Sequence, residues 1–214
     1  MMENRFNKKP LFSLDRADIL PILFWCLIVF LTWLFMHGAD HFLLLTRAAL
    51  GKYFELRWFL IAHITAGGGA LVMGFIQFWP KLRKYSWKLH RVIGLLYLMA
   101  ILVSSLCAMV LAFSTAYEVN WAYAFSLQVW VGVWISSTAI AFYAALQRKF
   151  QIHQEWMVRS YLVTLAFILS GLAIKLPFIQ RLGSFDEISP SLFWVGWSVP
   201  LYIYQVILSS RTRK

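Results

Sequence analysis

The chain has 214 residues, of which 61% are hydrophobic and 18% aromatic, and its formal net charge is +11. An average soluble domain is about 45–50% apolar, so this composition excludes an ordinary water-soluble fold and leaves a membrane protein. The basic excess is spread over separate short segments between apolar runs, which argues for membrane orientation and against a nucleic-acid interface.

Residues 1–18 are polar and basic and are expected to lie on the cytoplasmic surface. A hydrocarbon core of about 30 Å calls for roughly 20 apolar residues per helix. Six runs qualify, at 19–37, 57–79, 90–115, 121–147, 156–179 and 191–208. The fold class is therefore all-α, a polytopic membrane protein with one six-helix domain over 19–208. The runs within 57–179 form a four-helix core, and a basic tail occupies 209–214. The first run is longer than a signal-peptide core and no small-x-small cleavage site follows it cleanly, so it is expected to be a retained helix. Pro21 falls in its first turn, where proline is tolerated. Gly38 and Asp40 end this run, and the partly apolar stretch 39–56 is expected to form a short interfacial helix. The basic loop "PKLRKYSWK" joins the second and third spans, "STAYEVN" the third and fourth, and "QRKFQIHQEW" the fourth and fifth. The fifth ends near Pro177, and "RLGSFDEISP" leads into the sixth.

Arg83, Lys84, Lys88, Arg91, Arg148 and Lys149 lie on the same side as the basic N-terminal segment and tail, whereas the opposite side carries Arg47, Lys52, Arg57 and Arg181. The positive-inside rule makes the richer side cytoplasmic. The expectation is a multi-pass membrane protein with both termini cytoplasmic and membrane lipids as its surroundings. Cys26 and Cys107 stand alone in apolar runs and read as small fillers, without a disulfide or zinc spacing.

Ionisable groups at membrane depth are costly and mark functional sites by default. Here they are His63, His90, His153 and Lys175. At about 100° per residue, His63, Gly67, Ala70, Gly74 and Gln77 share one face of the second span. That small-residue strip serves close helix packing or makes a slot for a flat cofactor with His63 as an axial ligand. His90, Gly94, Tyr97, Ile101, Ser104 and Ala108 share a face of the third span. In the fifth, His153, Met157, Ser160, Thr164, Gly171 and Lys175 do the same. His90 and His153 both fall near the cytoplasmic boundary. Two imidazoles on separate helices suit haem b held between them as metal ligands, or a quinone head group held by hydrogen bonds. Arg91 and Arg159 beside them suit anionic groups such as haem propionates or lipid phosphates. Equally, the histidines and arginines read as anchors at the membrane boundary. Lys175 reads as snorkelling to the outer surface, or as facing His63, with Asp40 and Glu118 as outer partners. Nothing here identifies an enzyme.

At three stretches, "HITAGGGALVMGFIQF", "KLHRVIGLLYLM" and "IHQEWMVRSYLVTLAF", the sequence resembles the uncharacterised bacterial membrane proteins grouped as domain of unknown function twenty-three-oh-six. The resemblance covers residues 57–179 and implies a protein of the bacterial inner (plasma) membrane. It implies that His63, Gln77, His90, Arg91, Gly94, Tyr97, His153, Trp156, Met157 and Arg159 are the positions to watch, and Lys175 stands where an arginine is expected. The arrangement is also similar to that of di-haem b-type cytochromes, although the fourth span has no histidine to complete a second bis-histidine site. Two functions follow as expectations: a b-type cytochrome-like or quinone-interacting redox protein, or a non-redox small transporter, lipid binder or assembly factor.

Overall fold

The computed structural model describes residues 19–211; the expected cytoplasmic segment 1–18 and the last three residues of the basic tail lie outside the described residues. In chain order the helices are α1 (Ile19–His37), α2 (Arg47–Leu50), α3 (Arg57–Gln77), α4 (Pro80–Tyr85), α5 (Trp87–Ala112), α6 (Trp121–Leu146), α7 (Phe150–Ala173), α8 (Pro177–Gln180) and α9 (Phe185–Arg211). Six of them, α1, α3, α5, α6, α7 and α9, are long and apolar enough to cross a membrane, and no strand occurs among the described residues. The all-α polytopic fold is as the sequence implied.

Three helices start upstream of their apolar runs, α5 at 87 rather than 90, α7 at 150 rather than 156 and α9 at 185 rather than 191, because polar and amphipathic residues open them; α1, α3 and α6 start where their runs do. The Ser86 hydroxyl accepts from Leu89 N–H at 3.2 Å and starts α5 before its apolar run. Asn120 caps α6 in the same way, accepting from Tyr123 N–H at 2.8 Å. Asp186 and Glu187 occupy the first turn of α9, where the helix dipole favours negative charge. His90 and His153 consequently sit within the first turns of α5 and α7. The link between α6 and α7 is tight because Arg148 adopts φ 57°. That left-handed residue lets Lys149 N–H bond Ala144 C=O at 2.9 Å and Arg148 N–H bond Ala145 C=O at 3.0 Å, a Schellman closure.

Around the core, α3 packs on α5, α5 on α6, α6 on α7, and α7 returns to α3. This order sets α5 and α7 on one diagonal of a four-helix bundle and α3 and α6 on the other. α9 lies against α7 and α6, and α1 against α3 and α7. The interior is built from rings, small residues and hydroxyls. Trp130 and Trp134 are each 1% exposed, and Ser104, Ser160 and Thr164 are buried as well. Apolar residues such as Leu95, Leu102 and Phe142 face outward. That distribution suits lipid surroundings, where close packing and interhelical hydrogen bonds replace the hydrophobic drive of water.

The expected interfacial helix at 39–56 is a chain of short pieces: a 3-10 turn at Asp40–Leu44, then α2, then a second turn at Gly51–Tyr53. It folds over the end of the bundle where α3 begins, with Leu50 packed against Leu60 and Leu111. Lys52 donates to Thr115 C=O at 3.2 Å. Burial pushes the Lys52 amine below its ordinary range, with Glu118 acting in the opposite sense, and burial raises the Tyr53 phenol.

Candidate functional site

The bundle has a small pocket at the end where α5 and α7 begin, called the inner end for the orientation expected from the sequence, a buried hydroxyl network at its centre and a larger cavity in the opposite, outer half.

The inner pocket, about 270 Å³, is lined by Gln77, Arg83, His90, His153, Gln154 and Met157 together with Phe78, Trp79 and Val158. Its two histidines come from α5 and α7, across the bundle diagonal. His153 is oriented by its backbone surroundings: Nδ1 lies 2.9 Å from the carbonyl oxygen of Ala141 on α6. A carbonyl only accepts, so Nδ1 carries the proton and the neutral ring keeps Nε2 as a lone pair. His90 stacks on Trp87, with ring centres 5.7 Å apart, and its buried Nδ1 has no hydrogen-bond partner among the described residues. Gln77 spans from α3, its amide donating to His90 C=O at 2.6 Å; it thus fixes the backbone that carries the histidine. Gly94 makes room for that amide, since a Cβ there would lie 3.0 Å from Gln77 Nε2. Arg83 of α4 supplies the pocket's cation.

Above the pocket, Tyr97 OH meets Ser160 Oγ at 3.0 Å and Thr138 Oγ1 meets the same oxygen at 2.7 Å. Thr138 donates to Trp134 C=O at 2.8 Å. Trp134 Nε1 donates to Thr164 Oγ1 at 2.8 Å, and Thr164 donates to Ser160 C=O at 2.9 Å. This network ties α5, α6 and α7 together, and two of its members, Trp134 and Thr164, also line the larger cavity.

The outer cavity is about 420 Å³, within the roughly 300–1,000 Å³ of small-molecule sites. Its walls are mostly aromatic and small, with Gly67, Gly68, Trp130, Trp134, Phe167 and Gly171 among them, and its polar elements are Tyr53, His63, Tyr123, Thr164 and Lys175. Trp130 and Phe167 stack at 4.0 Å and 17°. His63 Nδ1 lies 3.0 Å from Ser104 C=O and 2.9 Å from Ser104 Oγ.

The sequence-derived residues therefore divide. Gln77, His90 and His153 come together at the inner pocket; His63 and Lys175 line the outer cavity. Tyr97 lines neither and belongs to the central network. Arg91 is exposed. Arg159 turns to α9, donating to Gln205 Oε1 at 2.8 Å and lying 4.8 Å from the Trp156 ring and 5.2 Å from that of Tyr204. Lys175 follows the end of α7 and is exposed at the cavity rim, and a side chain on Gly38 would collide with its amine. Of its expected outer partners, Asp40 stands 3.4 Å from His37. The glycine strip on α3 does the packing expected of it: a Cβ on Gly74 would run into Tyr161, and one on Gly67 would lie 3.1 Å from Ser104 Oγ. Arg83 and Gln154 were not anticipated. Arg83 belongs to a connecting helix, where no periodicity singles it out. The Ala141 carbonyl is a backbone group and leaves no trace in the sequence.

Among the described residues no three histidine, cysteine or acidic side chains cluster as a metal site. Two imidazoles fit a metal whose other ligands come from elsewhere, as haem iron does. Neither a curated protein nor a solved structure matches the chain. The family described as "Predicted membrane protein (DUF2306)" matches residues 60–208. That span runs beyond the three motifs and takes in most of α9, and the chain belongs to this family.

Proposed function

We propose that this is a membrane redox protein whose inner pocket would hold haem b, with His90 and His153 as the residues that would bind its iron. The observation that carries the reading is the pair of imidazoles facing one pocket from diagonal helices. His153 has its Nδ1–H tied to Ala141 C=O, and His90 has a buried nitrogen without a partner among the described residues. A carbonyl on the far nitrogen is the usual device that orients a metal-ligating histidine. Arg83 would face a propionate, while Gln77 holds the backbone of His90 in place. Bound haem would supply one-electron transfer. The protein's own residues hold it, orient it and keep lipid away from it.

The pocket volume of about 270 Å³ favours one second reading, a quinone head group held by hydrogen bonds from the same residues. The test is an oxidised and a dithionite-reduced absorption spectrum of protein purified from haem-supplied cells. A haem spectrum in the wild type, lost in both His90→Ala and His153→Ala, is the expected result. A colourless wild type ends the haem reading and leaves the quinone.

A further inference from the structure

The outer cavity needs an occupant of particular chemistry. Its wall is apolar except for the Tyr53 and Tyr123 phenols, the Thr164 hydroxyl, the Lys175 amine and the imidazole of His63. The Ser104 hydroxyl donates to His63 C=O at 2.9 Å, so its oxygen, like the Ser104 carbonyl, is an acceptor for the His63 ring. Both contacts fall on Nδ1, which therefore carries the ring proton. The neutral imidazole is left with Nε2 as a bare lone pair on a ring that lines the cavity. Phe167 approaches it edge-on, with ring centres 5.8 Å apart and planes at 64°, and offers no donor.

An acyl chain filling this space would leave Nε2 unpaired in an apolar wall, which is costly. A quinone carries only carbonyl oxygens there and would set lone pair against lone pair. A fatty carboxylate would suit Lys175 at the rim, but it brings no hydrogen for His63. A hydroquinone meets each requirement: a flat ring for the wall formed by Trp130, Trp134 and Phe167, a hydroxyl donor for Nε2, and an apolar tail for the rest of the cavity. We infer that the outer cavity is a binding site for an apolar-tailed hydroquinone, one hydroxyl of which donates to His63 Nε2. The inference rests on this cavity alone and holds whether or not haem occupies the inner pocket.

The test is a titration of tryptophan emission, since Trp130 and Trp134 line the cavity. The probes are a decyl-substituted hydroquinone kept reduced under argon, its O,O-dimethyl ether and decanoate. The hydroquinone should bind the wild type roughly five- to tenfold tighter than the ether, the worth of one neutral hydrogen bond, and tighter than decanoate. His63→Leu should bring hydroquinone and ether to the same affinity. Equal affinities in the wild type would overturn the inference, as would a preference that survives in His63→Leu or tighter binding of decanoate. The comparison of probes on the wild type decides the matter even if the variant fails to fold.

Discussion

Tyr97, Ser160 and Thr138 meet where α5, α6 and α7 converge, and the directions of their protons can be worked out. Thr138 spends its proton on Trp134 C=O, so it accepts from Ser160; Ser160 in turn accepts from Tyr97. Ser160→Ala strands a buried tyrosine donor and leaves Thr138 without its donor. Tyr97→Phe leaves Ser160 still donating to Thr138. Stranding a buried partner costs about 1–3 kcal/mol, so Ser160→Ala should lower the thermal midpoint in detergent more than Tyr97→Phe does. The reverse order would contradict the proton assignment. Sequence periodicity placed Tyr97 on the same face as His90, which it is, but periodicity gives a face and not a depth, and the side chain ends in the central network. The arginines show the converse. Arg91 is one residue past His90, about 100° round the helix, and Arg159 is six past His153, about 240° round. Neighbours in sequence thus point away from the pocket, and the cation that faces it comes from α4.

At the scale of elements, the glycine strip of α3 explains how α3 can lie so close to α5 and α7. Gly74 sits under the rings of Tyr161 and Tyr97, and Tyr161 OH donates to Leu71 C=O at 3.0 Å, fixing its ring there. Gly74→Val should therefore destabilise by about 1–3 kcal/mol, the usual cost of overpacking, read as a lower unfolding midpoint. Gly69→Ala is the contrast, because a Cβ there meets only the tip of Met73 on the same helix at 3.5 Å; it should be close to neutral. If both variants unfold alike, the strip is not a packing surface. The strip was legible because small residues at helical spacing have few other uses in a membrane helix. The diagonal relation of α5 and α7 was not. Nothing local records which helices are neighbours and which face each other, and that relation alone puts His90 and His153 on one pocket.

For the whole molecule, the distribution of charge over the two ends of the bundle predicts its orientation. At the end bearing the outer cavity, Arg47, Lys52, Arg57, Lys175 and Arg181 are matched by Asp40, Glu55, Glu118, Asp186 and Glu187. Arg47 and Glu55 form a direct pair at 2.9 Å. At the opposite end, Arg83, Lys84, Lys88, Arg91, Arg148 and Lys149 are opposed only by Glu155 among the described residues. Positive charge near span ends is what holds a segment on the cytoplasmic side, so the pocket of His90 and His153 should open towards the cytoplasm and the His63 cavity towards the far side. Single cysteines at Lys84 and Gln147, in a background with Cys26 and Cys107 replaced by alanine, should resist a membrane-impermeant maleimide in intact cells and react after lysis. Cysteines at Tyr117 and Ser184 should react in intact cells. The opposite pattern would turn the molecule over and would put the hydroquinone cavity on the side assigned here to the haem pocket.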